Sequence, residues 1–145
     1  MTNRRDFIKK AALLAASGIV GGKVLSSCGG RGQQAAKTSV TVYDLLIEHT
    51  SPNHVFFQND VFWTHKGGYC PVEYLKKYSQ RIKTLHIKDE KAIGASGTMD
   101  FKAIFEQANE NGVKDWFVEV ESYDGTPEED IKKSADYLLN ADFVK

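Results

Sequence analysis

Thr84-Leu85-His86-Ile87-Lys88-Asp89 is the stretch on which the reading of this chain turns. Alternation places Leu85 and Ile87 on one side of a short strand and Thr84, His86 and Lys88 on the other. The polar side ends in an imidazole and an ammonium, groups suited to a ligand. Two neighbouring runs follow the same plan. In Val55-Phe56-Phe57-Gln58-Asn59-Asp60, the face holding Phe56 and Gln58 terminates in Asp60. In Trp116-Phe117-Val118-Glu119-Val120-Glu121, Trp116, Val118 and Val120 form an apolar face, with Phe117, Glu119 and Glu121 opposite. Asp60, His86 and Glu119 are thereby expected together at the C-terminal end of one shared face.

The intervening sequence predicts helices. Val42, Leu45, Leu46 and His49 have helical spacing, so a short helix is expected over 40–49, ended by Thr50-Ser51-Pro52-Asn53. The aromatic run 61–69 reads as a working loop. Pro71 opens a second helix with Val72, Leu75 and Tyr78 inward, and Cys70 before it has a structural reading. Asp100 suits the N-cap of a third, whose apolar face is Phe101, Ile104, Phe105 and Ala108 and whose end is Asn111-Gly112. Thr126-Pro127-Glu128-Glu129 is a capping box for the last helix, with Ile131, Ala135, Leu138 and Leu139 expected inward. Strands alternating with helices imply an α/β fold of parallel βα units.

At 145 residues the chain holds at most one domain. Its balanced charge conceals an asymmetry. Residues 1–27 carry five basic residues and one acidic, leaving 14 basic against 18 acidic in the remainder. That acidic balance gives no electrostatic footprint for nucleic acid.

The basic start, Asn3-Arg4-Arg5-Asp6-Phe7-Ile8-Lys9-Lys10, precedes a mildly apolar run from Ala11 to Val20 and then Leu25-Ser26-Ser27-Cys28. It resembles a twin-arginine export signal followed by a bacterial lipoprotein box. The resemblance implies a signal peptide over 1–27, lipidation of Cys28, and a protein on the periplasmic side held to the membrane only through a lipid anchor. Residues 28–39, Gly-rich and without apolar period, read as a flexible tether, and 40–145 as the packed part.

From about Thr41 onward the chain resembles the last third of the sugar phosphate isomerase/epimerase family, with its xylose isomerase-like TIM barrel. The matching pieces are Asp60-Val61-Phe62-Trp63, Lys66-Gly67-Gly68, His86-Ile87-Lys88-Asp89, Gly94 to Phe101, and Val118-Glu119-Val120-Glu121. The resemblance implies a partial TIM barrel, its last three strands and their helices. In that family two Glu, one Asp and one His hold a divalent metal at the barrel mouth. Asp60, His86 and Glu119 match three of those ligands, Glu119 also being the catalytic base, while Trp63 and Lys88 match positions lining a sugar pocket. The implied cofactor is Mn²⁺, Mg²⁺, Co²⁺ or Zn²⁺. The implied chemistry is proton abstraction next to a carbonyl of a small sugar or sugar derivative.

One departure qualifies the match: no strand between Cys28 and Asn53 can carry the family's other glutamate. Closure of a TIM barrel takes eight βα units, so a truncated relative, self-association, or a second chain completing the barrel is expected. The alternatives are a non-catalytic exported lipoprotein remnant or sugar-binding module, and an apurinic-endonuclease-type nuclease, which acidic charge and an export signal disfavour. Taken singly, Asp60 also reads as a loop cap and His86 as a hydrogen-bonded core or rim residue.

Overall fold

The computed structural model describes residues 39–145, and the expected export signal, the Cys28 lipidation site and all of the expected tether but Ser39 lie outside them. Three strands, β1 (Phe57–Asp60), β2 (Ile82–Lys88) and β3 (Asp115–Glu119), form a parallel sheet in the order β1-β2-β3. This is the expected α/β arrangement, an open three-stranded part of a TIM-barrel-like fold. Asp60 pairs with His86, and Lys88 with Glu119, so register alone aligns the strand ends. Near the other end Phe57 lies opposite Ile82 and Gln58 opposite Thr84, which leaves Lys83 as the extra residue of a bulge.

Among the described residues five helices accompany the strands: α1 (Val42–Glu48), α2 (Val61–Lys66), α3 (Pro71–Lys77), α4 (Phe101–Glu110) and α5 (Pro127–Asn140). On the helix side of the sheet, Ile82, Leu85 and Ile87 are fully buried with Val61, Leu75, Phe101, Ile104 and Phe105. The other side is open. There Phe56 is 68% and Phe117 61% exposed. Among the described residues no helix is long and apolar enough to cross a membrane.

Local sequence predicts α3 and α4 closely. Asp100 accepts from the Ala103 amide at 3.0 Å, and Gly112 adopts a φ of 73° just beyond the Asn111 cap. The expected loop over 61–69 is corrected: its first six residues are α2, because the Asp60 carboxylate caps the Trp63 amide at 2.8 Å. The buried sides of two helices depart from their apolar spacing, and the expected inward face of the last is corrected except at Leu138. In α1 the buried residues are Asp44, Leu45 and Ile47, with Val42 and Leu46 exposed. In α5 they are Asp130, Ser134 and Leu138, while Ile131 and Leu139 face outward. Ser134 explains the second rotation: its hydroxyl accepts the Ile93 amide at 2.9 Å and donates to the Asp130 carbonyl at 2.7 Å.

Asp44 explains the first. Its Oδ2 accepts from the Thr41 amide at 2.7 Å, the Thr41 hydroxyl at 2.6 Å and the Tyr74 hydroxyl at 3.1 Å. Its Oδ1 accepts from the Tyr78 hydroxyl at 2.6 Å and Lys77 Nζ at 2.9 Å. Burial alone would raise this carboxyl, but the hydrogen bonds from Thr41, Tyr78 and Lys77 outweigh burial and hold it well below the carboxylate range. The partner phenols move the opposite way. Burial, then contact with Asp44, raises Tyr78, and burial pushes Tyr74 and Tyr43 up to about 12. A phenol that is buried, as Tyr43 is, or that donates to a carboxylate, as Tyr74 and Tyr78 do, resists ionisation, so tyrosinate absorbance should rise in two stages. Tyr43, Tyr74 and Tyr78 are expected in the later stage, together with loss of helical circular dichroism. A single stage near pH 10, with the fold intact, would contradict the buried network.

Candidate functional site

At the C-terminal ends of the three strands, on the open face, five side chains form a continuous row. Asp60 Oδ2 lies 2.7 Å from His86 Nδ1, and His86 Nε2 lies 3.7 Å from Glu119 Oε2. Glu119 Oε2 in turn accepts from Lys88 Nζ at 2.7 Å, and Lys88 also donates to Glu121. The strands supply this order directly. Their parallel register brings residues 60, 86 and 119 to one end, and alternation keeps Lys88 on the same face as His86.

Lys88 is only 2% exposed, although it stands at a strand end. Burial alone would lower its pKa; hydrogen bonds to Glu119 and Glu121 outweigh that and raise it. The same hydrogen bond lowers Glu119, which is held ionised. The ammonium expected to face a ligand is thus already shared between two carboxylates. Sequence reasoning placed Glu121 on this face but missed its role as the second carboxylate on Lys88. Glu121 lies just beyond β3, and its two-residue spacing from Glu119 was the available sign that it shares the face.

Trp63 projects from α2 directly after the Asp60 cap and is 58% exposed. Its ring meets Phe62 edge-on, with centroids 5.3 Å apart. Its backbone amide on Asp60 ties it to the end of the row, and its ring is an open aromatic surface. Beyond the strand ends, Lys66 at the end of α2 pairs with Glu90 at 2.8 Å, and Lys91 pairs with Asp124.

The donor types of Asp60, His86 and Glu119 suit a divalent transition metal. Their arrangement is more limited. Asp60 meets one imidazole nitrogen and Glu119 faces the other, so the two carboxylates straddle His86. Among the described residues, no group of three or more His, Cys, Asp or Glu side chains is gathered as a metal would require. The row therefore offers one point two of these ligands: His86 with Asp60 through Nδ1, or His86 with Glu119 through Nε2.

No family model matches the chain. Two solved structures, each a sugar phosphate isomerase/epimerase from Parabacteroides distasonis, are similar in sequence and fold. One is 47% identical with a TM-score of 0.71, over 80% of this chain and 42% of that one. The other is 37% identical with a TM-score of 0.70, over 86% and 43%. Among curated relatives, an inosose dehydratase of Geobacillus kaustophilus is 46% identical over 46 residues, 32% of this chain and 15% of the relative. An inosose dehydratase of Clostridium botulinum is 32% identical over 98 residues, 52% of this chain and 33% of the relative. The chain thus spans less than half the length of each.

Proposed function

Given that the described chain resembles sugar phosphate isomerase/epimerase proteins in sequence and in fold, we propose that its strand-end row is a proton-transfer site for a sugar-like carbonyl compound. Glu119 is the base, Lys88 keeps it ionised, and His86 with Asp60 orients the neighbouring polar atoms. The observation that carries this reading is the unbroken row Asp60–His86–Glu119–Lys88–Glu121 on the open face. A carboxylate held at half exposure beside an ammonium can accept a proton from a carbon acidified by an adjacent carbonyl. Lys88 then stands within reach of oxygen charge that develops on the substrate.

The donor chemistry fits a divalent cation held by His86 with one of the two flanking carboxylates. When bound, such a cation would polarise the carbonyl and favour proton loss. The protein's own side chains do the rest: Glu119 holds the proton, Lys88 stays beside it as the counter-charge, and Trp63, outside the row, offers an apolar surface to the substrate.

The test is exchange in heavy water. The full chain, with Mn²⁺ present, should replace the hydrogen next to the carbonyl of inosose with deuterium, followed by proton NMR. Glu119→Gln should slow this by about 10²-fold or more, the scale of a lost general base. Exchange no faster than the uncatalysed reaction, or unchanged in Glu119→Gln, would sink the proposal. Net epimer formation is not expected from this row alone. The proton would return from solvent, because Asp60 stands behind His86 instead of opposite Glu119.

A further inference from the structure

We infer that this site accepts an uncharged polyhydroxylated carbonyl compound and rejects its phosphorylated counterpart; the inference rests on the sugar-like reading above and narrows its substrate class. The first argument is charge. The strand ends and the loops beyond β2 and β3 carry seven carboxylates, Asp60, Asp89, Glu90, Asp100, Glu119, Glu121 and Asp124, against Lys88, Lys91 and, from the end of α2, Lys66. Each of those lysines already has a carboxylate: Lys66 holds Glu90, Lys88 holds Glu119 and Glu121, and Lys91 holds Asp124. A phosphate dianion arriving here would meet net negative charge and would have to displace a carboxylate to gain an ammonium.

The second argument concerns backbone donors. Phosphates commonly settle on helix N-termini at the ends of parallel strands, where amides are free. Here the chain's own side chains fill those places. Asp60 takes the Trp63 amide of α2, and Asp100 takes the Ala103 amide of α4. Thr126 takes the Glu129 amide of α5, whose first turn also holds Glu128, Glu129 and Asp130. Of the other two helices, α3 opens on Pro71, which has no amide hydrogen, and carries Glu73 in its first turn, while Thr41 takes the Asp44 amide of α1. Asp89 likewise occupies the loop amides of Glu90 and Gly94 at 2.7 and 3.0 Å.

Hydroxyl groups fit what remains. Carboxylate oxygens accept from hydroxyls, and the exposed Trp63 ring offers an apolar face to the C–H side of a polyol ring. The recognition is therefore by acceptors and an aromatic surface.

The experiment compares matched probes on the full-length chain by ligand-observed NMR titration: inosose and D-fructose as neutral probes, D-fructose 6-phosphate and inorganic phosphate as anionic ones. The better neutral probe should bind at least about tenfold more tightly than either anion. Glu121→Gln, which removes half the negative charge facing Lys88, should narrow that preference by strengthening the anionic probes. An anionic probe binding as tightly as the neutral ones would overturn this inference and leave the proton-transfer site standing. Failure of every probe to bind would overturn both.

Discussion

Asp44→Ala should lower the stability of the packed region by about 3 kcal/mol, the scale of opening a buried charged network. The carboxylate accepts five hydrogen bonds, from two groups of Thr41 and from Tyr74, Lys77 and Tyr78. Removing it strands two buried phenols and releases α1 from α3. Urea unfolding followed by circular dichroism measures the loss, and a change within error of zero would show that water replaces the carboxylate freely. The pH dependence gives an independent check. The folded-state pKa lies below the unfolded one, so the stabilisation is complete above about pH 4. It declines as pH falls from there towards the lowered folded value. Asp44→Asn should start from lower stability and show a shallower acid limb than the wild type.

Mn²⁺ binding should disappear in His86→Ala and be unequally affected by Asp60→Asn and Glu119→Gln. The inequality follows from geometry, because the two carboxylates face different nitrogens of one imidazole. One of them shares the metal; the other orients the ring, and its loss should cost about 10- to 100-fold in affinity. Transition-metal ions should bind more tightly than Mg²⁺, since imidazole favours the softer ions. His65→Ala should bind like the wild type, as His65 lies in the exposed last turn of α2. Isothermal titration of the variants decides this. Equal affinity in wild type and His86→Ala would remove His86 from the site, and equal losses from the two carboxylate variants would mean that they converge on one ion.

Much of this arrangement was legible from residue order. Alternation along 82–88 set which side of β2 is polar, Asp100 and Asn111-Gly112 delimited α4, and Thr126 with Glu129 announced α5. These are local effects: a cap or a pleat is decided by residues a few positions apart. The adjacency of Asp60, His86 and Glu119 was also legible, because parallel pairing leaves little freedom in which strand ends meet. The resemblance to isomerase/epimerase proteins agreed with that order.

The rotations of α1 and α5 were not legible. Apolar spacing favoured Val42 and Leu46, or Ile131 and Leu139, as inward residues. The helices turned instead to bury Asp44 and Ser134, each of which has hydrogen-bond partners thirty or more residues away. An apolar side chain loses modestly by facing water, whereas a buried polar group requires specific partners, and only the assembled fold supplies them. The same holds at the site. Sequence alone determined that a histidine, a lysine and three carboxylates share one end of one face. Tertiary structure decided that His86 separates Asp60 from Glu119, and that Lys88 is shared by Glu119 and Glu121, because which charges pair depends on distances of a few ångströms that no residue spacing encodes.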